Sequence, residues 1–526
     1  MKGCLKRFAP LLLTLGVLSI APDTVMAQEK SILRVVPQAN LTVLDPVWTT
    51  AFVTRNHGFM VYDTLFGTDA NGDIKPQMVE TWAESPDHKQ WTFTLQQGLE
   101  FHDGAPVTSA DVVASLKRWA ARDTIGRLLA DSVASYETPN ALTFVLNLNK
   151  PFGIMLDALG KPTNLVPFIM PSRIAATSPN EQIKEVIGSG PYRFVAEEYR
   201  SGERVVYEKN LKYRPRNETP SGTAGGKNVY IDRVEWVILR DPQTQLNALT
   251  AGEVDIIEQP TFEQYPALRK AAAIKLVNTM PDGRQFYARL NHLHPPFDNL
   301  KIRQAAMVAL GQREHLLTQV GDPDLFKFCK SLFPCGTPYS SDDTSYYTGK
   351  PDPKRAKELL AEAGYKNQPV VLLRPTDLAM VAKLPLVTKQ QLEAAGFKVD
   401  IQQSDWATVV TRRAKKDAPT QGGWSIFETA GDSDPNPLAR PALNASGQNG
   451  WFGWQDDPEL ERLKAEFVEA STLEQRQKIA QRIQIRAIDT VSYIPLGQFI
   501  NPAAVREDIS GILPAGAQIY WNIRKK

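Results

Sequence analysis

Three short stretches place a cation, an indole and carboxylates just beyond strand-like runs. Arg374-Pro-Thr-Asp377 follows the apolar Val370-Val-Leu-Leu373, and Trp406, within Ser404-Asp-Trp-Ala-Thr408, follows Lys398-Val-Asp-Ile-Gln402. Gly431-Asp-Ser-Asp-Pro435 comes after Trp424-Ser-Ile-Phe427. Strand exits of one α/β lobe gather at one edge, where open sheets bind their ligands. A guanidinium forks onto a carboxylate, a carboxylate accepts from an ammonium, and an indole offers a broad apolar wall. Arg374, Trp406 and Asp432 are therefore the first candidates for ligand contact, with Asp434 competing for the place of Asp432. Trp48 and Thr49, after Leu44-Asp-Pro46, are candidates for the facing side of a cleft. Trp424 is a further wall candidate, while Trp451 and Trp454 suit a wall or a packed core equally. The plainer reading is a solvated loop Arg374 and indoles packed in a core.

Catalytic patterns are missing. Six His stand in 526 residues, with no Gly-x-Ser-x-Gly elbow and no His-Glu-x-x-His helix. Paired carboxylates of the glycosidase kind stay open, because Asp and Glu are abundant. His292-Leu-His294 would put two imidazoles on one strand face, yet beside Asn291 and Pro295-Pro296 they suit a packed loop. Asp69-Ala-Asn-Gly-Asp73 reads as a hairpin turn, since a calcium loop needs Gly where Ile74 stands. Gly225-Gly-Lys227 is trailed by Asn228 rather than Ser or Thr, which rules against a phosphate loop. The reading is a protein that is not an enzyme, with no catalytic residue, no cofactor and no metal. Cys329 and Cys335 are expected to form a disulfide in an oxidising compartment; half a metal site would lack neighbouring ligands.

The amino terminus carries a basic head (Lys2, Lys6, Arg7), an apolar run from Leu11 to Ala21, and the small-residue site Val25-Met-Ala27. That is a cleavable signal peptide, its core too short for the roughly twenty residues a bilayer span requires. Cys4 lies in the basic head and leaves with it, which disfavours a lipoprotein. Removing residues 1–27 leaves 57 basic and 57 acidic side chains, a balance that excludes a basic nucleic-acid surface. About 500 remaining residues call for two or more lobes.

The elements that must hold the candidates are legible in outline. Trp91, Phe93 and Leu95 alternate with polar residues as in a half-buried strand, and Thr108 with Asp111 starts a helix. Leu142–Leu148 reads as a second strand of this region. Asp241-Pro242 opens a helix that Gly252 closes. Further helices are expected over 297–311, 352–364, to Gly396, over 457–469 and over 473–488, with a closing strand region from Ile494. Arg214–Lys227, rich in Gly and Pro, reads as a long exposed loop.

Three of these stretches, Trp82 to Val112, Ile187-Gly-Ser-Gly-Pro-Tyr-Arg-Phe194 and Asp241 to Ile256, closely resemble the family 5 solute-binding proteins. These are extracytoplasmic receptors of dipeptide, oligopeptide and nickel ABC importers, and the resemblance runs over residues 31–525. It implies an α/β, two-lobed periplasmic binding protein fold with a hinge and an extra domain. The implied segments are 28–74, 186–285 and 490–526 for one lobe, 75–185 for the extra domain and 286–489 for the second lobe. It also implies a monomeric periplasmic receptor that closes on a dipeptide or short peptide and delivers it to an inner-membrane ABC permease, with no nucleic-acid partner. In the dipeptide receptors the corresponding loops supply an Arg for the peptide carboxylate, a Trp wall and an Asp for the amine. The similar positions here are Arg374, Trp406 and Asp432, although the Gly-Asp-x-Asp-Pro turn is one residue shorter than the family's. An opine, sugar or nickel-chelate receptor on the same fold is the alternative, and an exported hydrolase a remote one.

Overall fold

The computed structural model describes residues 30–431, 434 and 436–526, together with Met1, Gly3 and Leu5. The rest of the expected signal peptide, with Cys4 and Ala27, and the candidate Asp432 lie outside the described residues.

Three sheets organise the chain. A seven-stranded sheet runs in the order Tyr192–Phe194, Arg204–Lys209, Arg233–Val237, Ile32–Val36, Ile256–Ile257, Ala503–Arg506, Ile274–Val277. Strand Ile32–Val36 is parallel to both its neighbours. A six-stranded sheet runs Phe326–Lys327, Ile494–Phe499, Arg284–Leu290, Ile426–Gly431, Val370–Pro375, Val399–Ser404. A four-stranded antiparallel sheet is built from Val79–Glu84, Gln90–Leu95, Thr143–Leu148 and Val133–Asn140.

The local signals act as the sequence predicts. Trp91, Phe93 and Leu95 are buried on one face of their strand. Thr108 and Asp111 form a reciprocal capping box at the start of helix Ser109–Ala120, satisfying two backbone donors that the helix leaves open. Asp241 caps helix Pro242–Ala251 by accepting from the Thr244 amide, and Gly252 ends it at φ 77°, where a side chain would be strained. Asp69 to Asp73 joins two antiparallel strands, Phe66–Thr68 and Ile74–Pro76.

Two expectations are corrected. The segment 490–526 does not stay with one sheet. Ile494–Phe499 pairs with Arg284–Leu290 in the six-stranded sheet, whereas Ala503–Arg506 lies in the seven-stranded one. The chain therefore passes between the two sheets at 278–283 and at 500–502, because strand Arg284–Leu290 needs a partner on each side to satisfy its backbone. The Gly/Pro-rich stretch is only partly an exposed loop. Lys227 is wholly buried, its ammonium 2.5 Å from Asp63 and over the Trp521 ring. Gly222 explains the close approach, since a Cβ there would stand 2.3 Å from the Thr68 carbonyl oxygen.

Candidate functional site

The six-stranded sheet brings the three candidate exits to one edge. Strands Val370–Pro375 and Val399–Ser404 are parallel with Pro375 opposite Ser404, and Leu372 stands opposite Ile426 in the third parallel strand. The Thr376 amide donates to the Ser404 carbonyl at 2.9 Å, and the Trp406 amide to Asp377 Oδ1 at 2.7 Å. At the same edge Gly431 stands opposite Gln285, and Arg284 opposite Phe499. The exits of the parallel strands thus adjoin the place where the chain crosses between sheets, the place in an α/β fold where a cleft forms and ligands bind.

The seven-stranded sheet faces this crossing with its own strand exits. Gln38 and Glu258 follow two parallel strands, and the Gln38 amide donates to Glu258 Oε2 at 2.9 Å. A cavity of about 20 Å³ lies between the two sheets, lined by Gln38, Arg55, Glu258, Arg284, Phe499 and Asn501 among others. That is room for about one water, and its polar walls suit one. Burial raises the pKa of Glu258, against the Tyr520 hydroxyl that donates to it. The Arg55 and Arg284 guanidiniums both lie over the Phe52 ring, at 4.8 and 4.9 Å from its centroid.

The candidates fare differently. Arg374 is half-buried, donating from Nε to the Ala382 carbonyl at 3.0 Å and from Nη1 to Gln403 Oε1 at 2.8 Å. Trp406 opens helix Trp406–Arg413 behind an Asp405 cap, half-buried at the sheet edge. Asp434 accepts from the Thr163 hydroxyl and, at 2.9 Å, from the Asn436 amide. Trp48 is half-buried under the Arg122 guanidinium, 4.9 Å from its ring centroid, and Thr49 Oγ1 accepts from the Ala51 amide at 3.2 Å. Trp424 is corrected from wall to core. It has no exposed surface, packs on Phe427 and Trp454, and donates from Nε1 to the Arg413 carbonyl at 3.1 Å. With Val371 and Leu373 of the sheet and Val409 of helix Trp406–Arg413 it forms one buried apolar cluster.

Cys329 and Cys335 are joined, with their Cα atoms 5.8 Å apart. His294 shares a hydrogen bond with the Lys416 carbonyl at 2.7 Å, and the His292 amide donates to the Gly453 carbonyl at 2.9 Å. Burial holds the His292 pKa well below its usual value. Among the described residues no three His, Cys, Asp or Glu side chains gather as a metal site would require.

Sequence reading did not single out Arg55 and Arg284, which line the cavity, Arg413, whose guanidinium lies over the Trp406 ring, or Arg440, which borders Gly431. Only Arg413 carried a signal, since it stands two helical turns after Trp406 and shares its face.

The family model for bacterial extracellular solute-binding proteins, family 5, matches residues 73–451. The chain belongs to that family. Among relatives of this family 5 chain, a probable peptide ABC transporter periplasmic-binding protein of Sinorhizobium fredii is 37% identical over 508 residues, covering 96% of this chain and 95% of that one. The periplasmic binding protein AgaA of A. tumefaciens R10, solved with agropinic acid, superposes with a TM-score of 0.78 at 23% identity, over 94% and 99% of the two chains. A dipeptide-binding protein of Pseudoalteromonas sp. SM9913, solved with Met-Leu, gives a TM-score of 0.78 at 20% identity, over 94% and 100%. These family 5 structures share the two-lobed α/β fold expected from the sequence.

Proposed function

We propose that this protein is the periplasmic receptor of an ABC importer, acting as residues 28–526 after signal cleavage and capturing a short peptide. The observation that carries this reading is the likeness, over nearly the whole of both chains, to the Sinorhizobium fredii relative named for peptide transport. The geometry supports it: the strand exits at Arg374, before Trp406 and at Gly431 share one edge beside the crossing between sheets. In this reading the guanidinium of Arg374 takes the ligand carboxylate, Asp432 takes its amine, and Trp406 with Trp48 walls the cleft. Binding is non-covalent, and the closed form is what the permease recognises. Among the described residues no helix is long and apolar enough to cross a membrane, which fits a receptor that meets its permease from outside the bilayer. An opine is the second reading, favoured by the equal structural likeness to the agropinic acid complex.

The test is a thermal-shift screen of the unfolded and refolded mature chain against di- and tripeptides, opines, sugars and nickel chelates. A ligand at a hundred times its Kd adds about 2.7 kcal/mol of stability. Shifts with short peptides that vanish when either terminus is blocked support the reading. Shifts with opines alone move the ligand class, and no shift with any peptide or opine sinks both.

A further inference from the structure

Arg413 closes helix Trp406–Arg413. Side chains on a helix lean toward its amino terminus, so this guanidinium is carried back toward Trp406 and the sheet edge. There it lies among four aromatic rings, 5.0 Å from the centroid of Phe452, 5.3 Å from Trp406, 5.4 Å from Phe427 and 6.0 Å from Trp451. Its Nε is buried without a hydrogen-bond partner among the described residues. Burial pulls its pKa below the usual arginine value.

Arg413 is one of three cations around a single ring. Tyr287 feels the positive fields of Arg440, Arg413 and Arg289. Arg289 donates from Nε to the carbonyl of Phe452 at 2.6 Å and from Nη1 to those of Ala442 at 3.0 Å and Ser492, while its Nη2 is buried without a partner among the described residues. Arg440 borders Gly431, where a Cβ would stand 3.3 Å from Nη1 and 3.2 Å from Tyr287 Cε1. Its Nη2 donates to the Asp434 carbonyl at 3.5 Å, its side chain also bonds Tyr493, and its Nε is buried without a partner among the described residues. Gathering like charges in a poorly solvated site is costly unless an anion joins them. Aromatic faces stabilise a guanidinium from above and below and leave its in-plane N–H groups free, in the fork that suits a carboxylate.

We propose that Arg413, with Arg440 adding to its field, reads an acidic group on the ligand and selects ligands carrying a carboxylate beyond the one met by Arg374. The proposal rests on the cleft edge described above being the ligand site. Its occupant is an acidic side chain of a peptide or the second carboxylate of a small diacid.

The experiment uses pairs that differ only by acid against amide: Ala-Glu with Ala-Gln, Glu-Ala with Gln-Ala, and glutarate with glutaramate. Each is titrated calorimetrically into refolded wild-type chain, Arg413→Gln and Arg413→Lys. A fork to a charged partner predicts the acid member binding about tenfold to a hundredfold tighter in the wild type. Arg413→Gln should bring that ratio near one, and Arg413→Lys should keep part of it. Equal affinities within every pair in the wild type overturn the proposal and leave the peptide receptor standing. A preference untouched in both variants also overturns it. Binding of glutarate alone, lost in Arg413→Gln, supports the proposal and removes the peptide reading. Binding of no probe overturns both. The wild-type ratio and Arg413→Lys carry the test if Arg413→Gln does not fold.

Discussion

Thr163 gives its hydroxyl hydrogen to Oδ2 of Asp434, across 271 positions of sequence. One residue on, Asn164 Nδ2 donates to the Ala439 carbonyl at 3.4 Å, and the Gly153 amide donates to Val468 at 2.8 Å. Thr163 and Asn164, in the segment following the four-stranded sheet, thus hold Asp434 and Ala439. Thr163 is buried, so Thr163→Val keeps its shape and removes the hydrogen. A buried hydrogen bond of this kind contributes about 1 kcal/mol. Amide hydrogen exchange over 431–440 should quicken severalfold in the variant, and unchanged exchange would show that the loop is held by other contacts.

Arg374 has two duties to separate. Its bonds to Ala382 and Gln403 brace the strand exit. Arg374→Ala should therefore lower stability by about 1–3 kcal/mol and also weaken a peptide with a free carboxyl terminus more than its amide. Denaturant unfolding measures the first effect, and the ratio of the two peptide affinities the second. Lost stability with an unchanged ratio would confine Arg374 to bracing the sheet.

The sequence showed the elements better than their partners. Helix starts at Asp241 and Thr108 were legible because a cap works through neighbours two or three residues away. The edge carrying Arg374, Trp406 and Gly431 was legible because each follows an apolar strand run. Ile494–Phe499 and Ala503–Arg506 read alike as strands, and only pairing with residues more than 200 positions earlier sends them to different sheets. Lys227 was misplaced for the same reason: its burial depends on Asp63, 164 residues away. Strand alternation does not say which face a helix will cover, so Trp424 passed for a wall.

The Cys329–Cys335 bridge closes a short loop whose ends are pinned to the six-stranded sheet and its helix. The Cys335 amide donates to Gln498 and the Cys329 amide to Gln312, both at 2.8 Å. Closing so short a loop restricts the unfolded chain by about 2 kcal/mol. A reducing agent should therefore lower the denaturation midpoint at constant protein concentration, while leaving the Cys329→Ser, Cys335→Ser double variant unmoved. A wild-type midpoint indifferent to reductant would mean the native bonds alone order the loop.

Glu428, Thr388 and His315 form a buried chain behind the strand that ends at Gly431. His315 Nδ1 is 2.6 Å from the Gly311 carbonyl and must carry a hydrogen to bond it. In a neutral ring Nε2 then accepts, from the Thr388 hydroxyl at 2.8 Å. The one Thr388 hydrogen is thereby spent, so its contact with Glu428 needs a protonated carboxyl as donor. Burial agrees, pushing Glu428 from 4.5 up to about 8 and His315 from 6.5 down to about 4. Because the folded pKa of Glu428 is raised, its contribution is fully present below about 4.5 and is lost as pH rises through about 8. His315 acts oppositely, costing stability as pH falls from about 6.5 to about 4. Glu428→Gln keeps a donor for Thr388 and removes the titration. The variant should match the wild type near pH 5 and exceed it by about 2 kcal/mol or more at pH 8.5. Denaturant unfolding of both proteins at the two pH values measures this, and a constant difference would mean Glu428 is already ionised in the folded chain.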